Sequence, residues 1–485
     1  MSNTIEKAAP TVLVAEVVRT GEAVTLPENM SITQAIKLLQ ARAEYEAQEV
    51  VVTQTIRAFP HDGAVALHRV LTRKYGWAQA VPTPGFFGPK PPQMMTVKTG
   101  VSTTIQVPWG RFELPNIKGW ISTSTTHENG MMVFQLVSTV KRESEKTVEA
   151  LFREVRDEAE QNSIYRGKAI KIRFRDNDGD PISLPEPEFL DTESIDDTQL
   201  VYSDPIMAAV ETNLFTPILR AQDCIKNKIP LKRGVLLAGT YGTGKTMAAY
   251  VASKYAEMMG ITYLYVPRAD ELSDAIAFAK HYQSPACVVF CEDIDRVASG
   301  DRSVKIDDIL NIIDGIDTKK SNIIVVLTTN DLDSINPAML RPGRLDAVIN
   351  VTPPDAKAVE KLLRIYGRGV VADNTDLSRA GELLSGQIPA IIAEVVKRAK
   401  LSELKFTAEG GKVKMLSEQA LTDAAAAMRG QINLLDKLIN GEPPPPVDPI
   451  EVAIGNVVRR TLDGRLEAID STHKKVKELH ANFLS

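Results

Sequence analysis

The pattern of apolar and polar positions changes near residue 197 of this 485-residue chain. Before that point, short alternating runs are mixed with helical periods, which is typical of helices and strands that pack side by side. After it, near-continuous apolar runs alternate with longer amphipathic stretches, as in parallel strands covered by helices on both faces. The strand candidates are Val235–Ala238, Thr262–Val266, Cys287–Cys291, Asn322–Leu327 and Val348–Val351.

Residues 1–80 predict a small helical module. Ser31 opens a capping-box pattern at the start of the first helix. Asp62 is expected to cap a second helix, and Gly76 is expected to end it. A linker rich in proline and glycine follows over residues 81–92.

Residues 93–190 predict an α+β accessory domain. Asn129-Gly130 lies between two alternating runs, which is a strong hairpin signal. A charged helix that ends near Gln161 and an alternating strand at residues 170–174 complete this prediction. Residues 176–180 resemble the start of a calcium loop, but no glutamate closes it, and we interpret the segment as an acidic turn.

Three aromatic residues of the accessory domain are a candidate nucleic-acid surface. Trp109, Phe112 and Trp120, with Arg111 and Lys118 nearby, could stack on the bases of a single strand. The alternative is that these side chains form part of an ordinary core.

The C-terminal half is predicted to contain four parts. Residues 197–354 form the α/β sheet domain, and residues 355–440 form a helical lid. Residues 441–449 are a stiff proline-rich linker, and residues 450–485 form an amphipathic helix. That last helix either packs on the body or mediates assembly.

Composition narrows the class of protein. A net charge of -5 argues against a surface that binds nucleic acid over its whole extent. The three cysteines, Cys224, Cys287 and Cys291, lack metal-ligand spacing and are too few for a disulfide framework. Neither a membrane span nor a signal peptide is recognisable, so we expect a cytoplasmic protein without a membrane association.

A glycine-rich segment between the first strand of the sheet domain and an apolar helix predicts a phosphate-binding loop. Its backbone N–H groups would surround an anion at the start of the helix. Lys245 can reach the outer phosphates, and Thr246 can place its hydroxyl on Mg²⁺, which predicts a nucleoside triphosphate and Mg²⁺ as cofactors. The residues of the loop are Gly239, Thr240, Tyr241, Gly242, Thr243, Gly244, Lys245 and Thr246.

Polar side chains follow two further strands of the predicted sheet. Glu292 and Asp293 come directly after Cys287–Cys291, where ligands bind in open α/β sheets. Glu292 is placed to hold Mg²⁺, and Asp293 is placed to orient an attacking water molecule. Asn330 follows the next strand and could contact the water and the γ-phosphate.

Two arginines follow shortly after. Arg341 and Arg344 flank a Pro-Gly turn, so both guanidinium groups are expected at the surface. A guanidinium suits the stabilisation of charge on a transferring phosphoryl group. Taken alone, these arginines would be interpreted as members of surface ion pairs.

The segments GTYGTGKT, CVVFCEDID, LTTN and NPAMLRPGRLD occur in an order that resembles the AAA family of ATPases, over about residues 200–405. The resemblance implies a five-stranded parallel α/β P-loop sheet with a helical lid. It also implies a homo-oligomer, typically a hexameric ring, with ATP bound between subunits.

The same resemblance implies a role for each matching residue. Lys245 and Thr246 would bind phosphate and Mg²⁺, and Asn330 would be the sensor residue. Arg341 and Arg344 would be arginine fingers that act on the neighbouring subunit's nucleotide. Gly386 would lie near the base and ribose. The site residues implied or derived in this way are Gly239–Thr246, Glu292, Asp293, Asn330, Arg341, Arg344 and Gly386.

Three features depart from the family pattern. The usual acid order is Asp-Glu, whereas here it is Glu292-Asp293. Tyr241 replaces a proline that is usual in the loop. Residues 266–276 hold no aromatic-hydrophobic-Gly tripeptide, so a pore loop that grips an unfolded polypeptide is not predicted.

A narrower resemblance is to the mitochondrial AAA protein that translocates the folded Rieske iron–sulfur protein. That family also has a Glu-Asp pair, a short loop after the second strand and a β-containing domain before the ATPase. This chain lacks its membrane span, so the narrower resemblance implies architecture only.

We therefore predict an ATP-hydrolysing ring of the AAA type that remodels a protein or protein complex. One alternative is a nucleic-acid motor, which would need a basic inner surface. Another is a nucleotide-gated scaffold with slow turnover, which the Glu292-Asp293 order keeps open. The candidate basic residues of a motor are Lys168, Lys171 and Arg173, or Lys474, Lys475 and Lys477.

Overall fold

A computed structural model gives the fold of residues 30–76, 93–294, 321–332, 345–405 and 411–439, with residues 18–20, 23–25, 82 and 88. Two compact units are present. The first extends to Ala358 and also contains Gly386–Pro389, and the second contains Val359–Ser385 and continues from Ala390.

The strands of the described residues are β1 Val18–Thr20, β2 Ala23–Thr25, β3 Glu49–Ile56, β4 Gln93–Lys98, β5 Thr104–Trp109, β6 Arg111–Phe112, β7 Gly119–Glu128, β8 Met131–Lys141, β9 Ala169–Lys171, β10 Glu188–Phe189, β11 Arg233–Ala238, β12 Thr262–Val266, β13 Cys287–Cys291, β14 Ile323–Thr329 and β15 Ala347–Asn350.

The α-helices of the described residues are α1 Ile32–Glu46, α2 Pro60–Tyr75, α3 Glu145–Gln161, α4 Asp204–Val210, α5 Thr216–Leu219, α6 Ala221–Lys226, α7 Lys245–Met258, α8 Leu272–Tyr282, α9 Ala356–Tyr366, α10 Ser378–Leu384, α11 Pro389–Leu404 and α12 Glu418–Ile439.

The larger sheet has the strand order β10-β9-β12-β13-β14-β11-β15. All five strands predicted for the sheet domain are present, and they pair in parallel. Every residue of β13 and β14 is buried, which is why their sequences are continuously apolar. The α/β P-loop fold is therefore confirmed, with seven strands rather than five.

The two additional strands correct the predicted boundary at residue 190. β9 pairs in parallel with β12, and β10 pairs antiparallel with β9. Both segments were assigned to the accessory domain because they follow its helix α3 in the chain. They instead cover the free edge of β12, and Ile170 is fully buried there.

A second correction concerns the predicted helical module of residues 1–80. β3 was missed; it pairs antiparallel with β8 in a sheet of order β3-β8-β7-β6. α2 packs against the same sheet so closely that a Cβ on Gly63 would lie 2.3 Å from the ring of Phe134. The described residues of 1–80 and the predicted accessory domain thus share one core.

Both expected N-terminal helices form, with one different cap. Ser31 makes the predicted capping box, and Gly76 ends α2 with φ of 75°. The N-cap of α2 is Phe59, and proline at the first helical position favours that start. Asp62 lies inside the first turn, and its carboxylate accepts hydrogen bonds from distant parts of the chain instead of capping the helix.

Asp62 joins three parts of the first unit. Its buried carboxylate accepts hydrogen bonds from Ser163 Oγ at 2.6 Å, the Ile164 N–H at 2.9 Å and Tyr282 Oη at 3.1 Å. Tyr282 Oη also accepts from the Phe59 N–H at 2.7 Å. Burial raises the pKa of the Asp62 carboxyl. Since Tyr282 ends α8, this cluster connects α2 to a helix that packs against the larger sheet.

We expect Asp62→Ala to lower the free energy of unfolding by about 2–4 kcal/mol, because it leaves two buried donors and one half-buried donor without this acceptor. Urea unfolding of the full chain, followed by far-UV circular dichroism, measures this loss. Asp157→Ala is the control, since Asp157 is exposed and forms a surface ion pair with Arg156. Equal midpoints for the two variants would show that the Asp62 cluster does not hold these elements together.

Two smaller predictions about residues 93–190 are confirmed. Asn129 and Gly130 have φ values of 52° and 80°, as a tight hairpin between β7 and β8 requires. Asp176 Oδ1 accepts from the backbone N–H groups of Asp178 and Asp180, both at 3.0 Å, which makes this segment a hydrogen-bonded acidic turn.

The aromatic platform for nucleic acid does not form as proposed. Phe112 is 1% exposed and belongs to the core. Trp109 packs on Phe134, with ring centroids 5.9 Å apart. Trp120 lies beneath the guanidinium of Arg111, 5.0 Å from the ring centroid. These aromatics are therefore used within the domain.

The second unit is helical in its described part, as predicted for the lid, and α10 packs against α12. The proposed proline linker and C-terminal helix, residues 441–485, lie outside the described residues, as does nearly all of the 81–92 linker. Among the described residues, none of the helices is long and apolar enough to cross a membrane.

Candidate functional site

The glycine-rich loop lies between β11 and α7, as predicted. Gly239, Gly242 and Gly244 have φ values of 151°, 78° and 98°, which side chains with a Cβ rarely adopt. A Cβ on Gly239 would also come within 2.2 Å of the Val351 carbonyl oxygen. The loop thus has the glycine-dependent backbone of an anion-binding turn at the start of a 14-residue helix.

Lys245 occupies the centre of this loop. Its side chain is buried, and Nζ donates to the carbonyl oxygens of Gly239 at 2.8 Å and Thr240 at 2.9 Å. It also donates to Asn330 Oδ1 at 2.9 Å. These three acceptors are neutral oxygens, and a phosphate oxygen would be a stronger acceptor for the ammonium than any of them.

Asp293 is the next member of the same hydrogen-bonded row. Asn330 Nδ2 donates to Asp293 Oδ1 at 2.9 Å, so Lys245, Asn330 and Asp293 lie side by side across three neighbouring strand ends. The Asp293 N–H donates to Thr328 Oγ1 at 2.9 Å. Its backbone has φ of 46°, a left-handed conformation that aspartate tolerates better than most residues.

Glu292 connects α7 with β12. Its Oε1 accepts a short hydrogen bond from Thr246 Oγ1 in the first turn of α7. Its Oε2 accepts from Tyr265 Oη at 2.8 Å. The predicted pair of oxygen ligands for Mg²⁺, Thr246 and Glu292, is therefore together in the structure.

The order of the sheet explains why these residues meet. β13 lies beside β14, and β14 lies beside β11, so the three carboxyl ends reach one edge. Cys291 is paired with Leu327, and Ala238 is paired with Thr329. The acids, Asn330 and the loop each begin directly after these paired positions, where open α/β sheets bind ligands.

The structure also describes predicted site residues that lie outside this row, among them Thr243, Tyr241 and Gly386. Thr243 Oγ1 donates to the Thr240 carbonyl at 3.0 Å within the loop, and Tyr241 is 61% exposed. The Gly386 N–H donates to the Pro354 carbonyl at 2.9 Å, with a positive φ of 80°. Arg341 and Arg344 lie outside the described residues.

Three residues at the site were missed by sequence reasoning. Tyr202 Oη donates to the Gly244 carbonyl at 2.8 Å and so supports the loop from outside it. Thr328 and Tyr265 hold Asp293 and Glu292, respectively. The sequence held a signal for two of these residues. Thr328 and Tyr265 each place a polar side-chain atom near the carboxyl end of a buried strand.

The donor set fits a magnesium–nucleotide complex rather than an all-protein metal cage. Mg²⁺ prefers oxygen ligands and usually keeps water and phosphate oxygens in its shell. Thr246 and Glu292 supply one hydroxyl and one carboxylate beside the phosphate-binding loop. Within the described part of the chain, no group of three or more His, Cys, Asp or Glu side chains could hold a metal alone.

Comparison with known proteins identifies the domain. Residues 235–353 match the family described as "ATPase family associated with various cellular activities (AAA)". This match covers the loop, the acidic pair, Asn330 and both arginines. The chain therefore contains an AAA domain at residues 235–353, which confirms the family resemblance predicted from its motifs.

Similar proteins include a cell division cycle protein 48 homolog of Archaeoglobus fulgidus, 31% identical over 234 residues, or 44% of this chain and 31% of that relative. A 26S proteasome regulatory subunit 8 homolog of Schizosaccharomyces pombe is 30% identical over 196 residues, or 36% and 48%. An ATP-dependent zinc metalloprotease FtsH of Caldicellulosiruptor bescii is 29% identical over 220 residues, or 41% and 34%. The chain thus matches less than half the length of each of these relatives.

Proposed function

We propose that this chain hydrolyses ATP in a magnesium-dependent reaction and uses the energy to remodel a protein or protein complex. One observation carries the enzymatic part of the proposal. The row Lys245–Asn330–Asp293 lies next to the pair Thr246–Glu292, so a cation for phosphate, two oxygen ligands for magnesium and a carboxylate for the water molecule occupy one corner of the sheet.

The loop and Lys245 would bind the triphosphate. The loop offers backbone N–H groups, and Lys245 can exchange its carbonyl partners for β- and γ-phosphate oxygens. Thr246 Oγ1 and Glu292 Oε1 would hold Mg²⁺ beside them. When bound, Mg²⁺ neutralises charge on the phosphate oxygens.

Asp293 would orient the attacking water molecule and accept its proton. Asn330 donates to Oδ1 of Asp293 and so holds the carboxylate along the strand ends. Asn330 also contacts Lys245, so one amide would sense both the water side and the phosphate side of the site. Because Asp293 is shorter than glutamate, we expect slower turnover than a longer acid would allow.

A homo-oligomeric, hexameric ring is part of the proposal. The AAA family, together with the Arg341 and Arg344 motif, supports a site completed by a neighbouring subunit. Two similar proteins are a proteasome regulatory subunit and a metalloprotease, which supports a protein client. A cytoplasmic location and the likeness to the Rieske-protein translocator stay predictions.

The nucleic-acid alternative receives less support from the described residues. Lys168 forms an ion pair with Glu257 at 3.0 Å. Lys171 Nζ lies over the ring of Tyr265, and Arg173 donates to Asn177. These three side chains therefore have partners within the subunit rather than forming an unpartnered basic row. Binding of single-stranded DNA that weakens steeply with salt would favour this alternative.

We expect Lys245→Ala to weaken ATP binding at least about 10-fold, since it removes a charge-assisted contact to phosphate. Fluorescence titration of the full chain with a labelled ATP analogue measures the affinity. Lys254→Ala is a matched control on the same helix, because Lys254 pairs with Asp197 instead of facing the loop. Unchanged affinity in Lys245→Ala would refute nucleotide binding at this loop.

A further inference from the structure

Tyr265 is the least expected side chain at this corner of the sheet. It lies on β12, one strand outside the acidic strand, and its phenol oxygen reaches Glu292 Oε2 at 2.8 Å. Its ring stacks on Phe290, with centroids 5.4 Å apart and planes 18° apart. On the other side, Lys171 Nζ lies 5.7 Å from the ring centroid.

The ring is therefore held from both neighbouring strands. In the sheet register, Tyr265 is paired with Phe290 on β13 and with Lys171 on β9. Cross-strand pairs of this kind restrict the side chain, so the phenol oxygen has little freedom to leave the carboxylate. β9, which covers the edge of β12, thus helps to fix a group at the nucleotide site.

Each carboxylate oxygen of Glu292 accepts one hydrogen bond. Oε2 accepts from Tyr265, while Oε1 remains beside the Thr246 hydroxyl. A glutamate side chain has one more rotatable bond than an aspartate, and ordering it costs more conformational entropy. A second fixed donor offsets that cost by holding the acid in one orientation before the metal arrives.

We propose that Tyr265 is a positioning residue for magnesium–nucleotide binding, which it assists by holding Glu292 with Oε1 directed to Thr246. The inference rests on the proposed role of Glu292 beside Mg²⁺. Residues that orient metal ligands typically change metal affinity by about 10- to 100-fold when they are removed.

The decisive variant is Tyr265→Phe, which removes the phenol oxygen and keeps the ring that packs on Phe290. A fluorescent ADP analogue is titrated into the full chain, once with MgCl₂ and once with EDTA. In EDTA, we expect Tyr265→Phe to bind the ADP analogue as tightly as the wild type does. The enhancement of this affinity by Mg²⁺ should be about 10-fold smaller in the variant than in the wild type. In the ATPase assay, the Mg²⁺ concentration for half-maximal rate should rise, and saturating Mg²⁺ should restore kcat.

Tyr263→Phe is the matched control. Tyr263 lies on the same strand, and its hydroxyl donates to the Ala249 carbonyl at 2.9 Å rather than to an acid. It should leave the magnesium enhancement unchanged. Unchanged affinity in EDTA also shows that Tyr265→Phe keeps the native nucleotide site, because binding without metal requires the folded loop.

Glu292→Gln tests the role of Glu292 separately from that of Tyr265. If it and Tyr265→Phe both reduce the enhancement, and the double variant loses no more than Glu292→Gln alone, the inference holds. If only Glu292→Gln reduces it, the role of Tyr265 is overturned while that of Glu292 stands. If neither changes it, the proposed magnesium role of Glu292 is wrong, and the inference fails with it.

Discussion

Asp293→Asn is expected to reduce kcat for ATP hydrolysis by about 100-fold or more, while the affinity for ATP changes little. The substitution replaces one carboxylate oxygen with an amide that donates, so the water molecule loses the group that would accept its proton. Asn330 can still donate to the remaining oxygen of residue 293, and the row from Lys245 is preserved.

Asparagine at position 293 should keep the backbone conformation of Asp293. Asp293 has φ of 46°, and asparagine is among the few residues that adopt the left-handed region readily. Its N–H bond to Thr328 Oγ1 is also unaffected by the change of side chain. A loss of turnover in Asp293→Asn is therefore attributable to the missing carboxylate oxygen.

Single-turnover hydrolysis and titration with a labelled ATP analogue measure the two quantities separately. Asp331→Asn is the control, because it removes an exposed negative charge at the end of the adjacent strand. Turnover that survives in Asp293→Asn would remove Asp293 from the reaction. A wild-type rate as low as that of the variant would favour the nucleotide-gated scaffold with slow turnover.

The sheet domain was predictable because its information is local. Each of its five strands is a short apolar run, and each functional group comes directly after one of them. The order of the strands is not local information, because it depends on how the whole sheet is assembled. The loop, both acids and Asn330 could accordingly be assigned before their distances were known.

β3 could not be recognised as a strand from its own sequence. Its sequence, EVVVTQTI, has three consecutive valines and no strict alternation, and it directly follows a well-formed helix. Its partner β8 lies about eighty residues further along the chain, with Ile56 paired to Phe134. Only that long-range pairing makes the segment a strand, so α2 was wrongly separated from the sheet on which it packs.

Tyr265 and Asp62 illustrate the same limit at the level of side chains. Tyr265 reaches Glu292 because two strands are in register, and the sequence spacing does not reveal register. Asp62 appeared to be a helix cap because aspartate is common at that position. Its real partners, Ser163 and Tyr282, are far away in sequence and are brought to it by packing.

Arg344→Ala should reduce ATP turnover by about 10³-fold without weakening ATP binding, if this arginine acts as an arginine finger. The guanidinium would stabilise charge that develops only as the phosphoryl group is transferred, so its loss affects kcat rather than affinity. Steady-state hydrolysis together with nucleotide titration distinguishes the two effects. Weakened binding with normal kcat would assign Arg344 to ground-state contacts instead.

Mixed assemblies test whether Arg344 acts on the neighbouring subunit. An Arg344→Ala subunit keeps Asp293, and an Asp293→Asn subunit keeps Arg344. When the two inactive variants are mixed in equal amounts and exchange freely in a ring, about a quarter of the interfaces combine both intact residues. Activity should then return to a corresponding fraction of the wild-type rate.

The control mixture combines Asp293→Asn subunits with subunits that carry both substitutions. Neither partner has Asp293, so no interface can regain activity even though arginines are present. Subunit exchange is verified in each mixture with differently labelled chains. Recovery in the first mixture but not in the second requires a site built from two subunits, because neither variant alone contains both groups. If exchange occurs and neither mixture recovers, the two residues do not act across an interface, and the shared nucleotide site proposed for this chain is refuted.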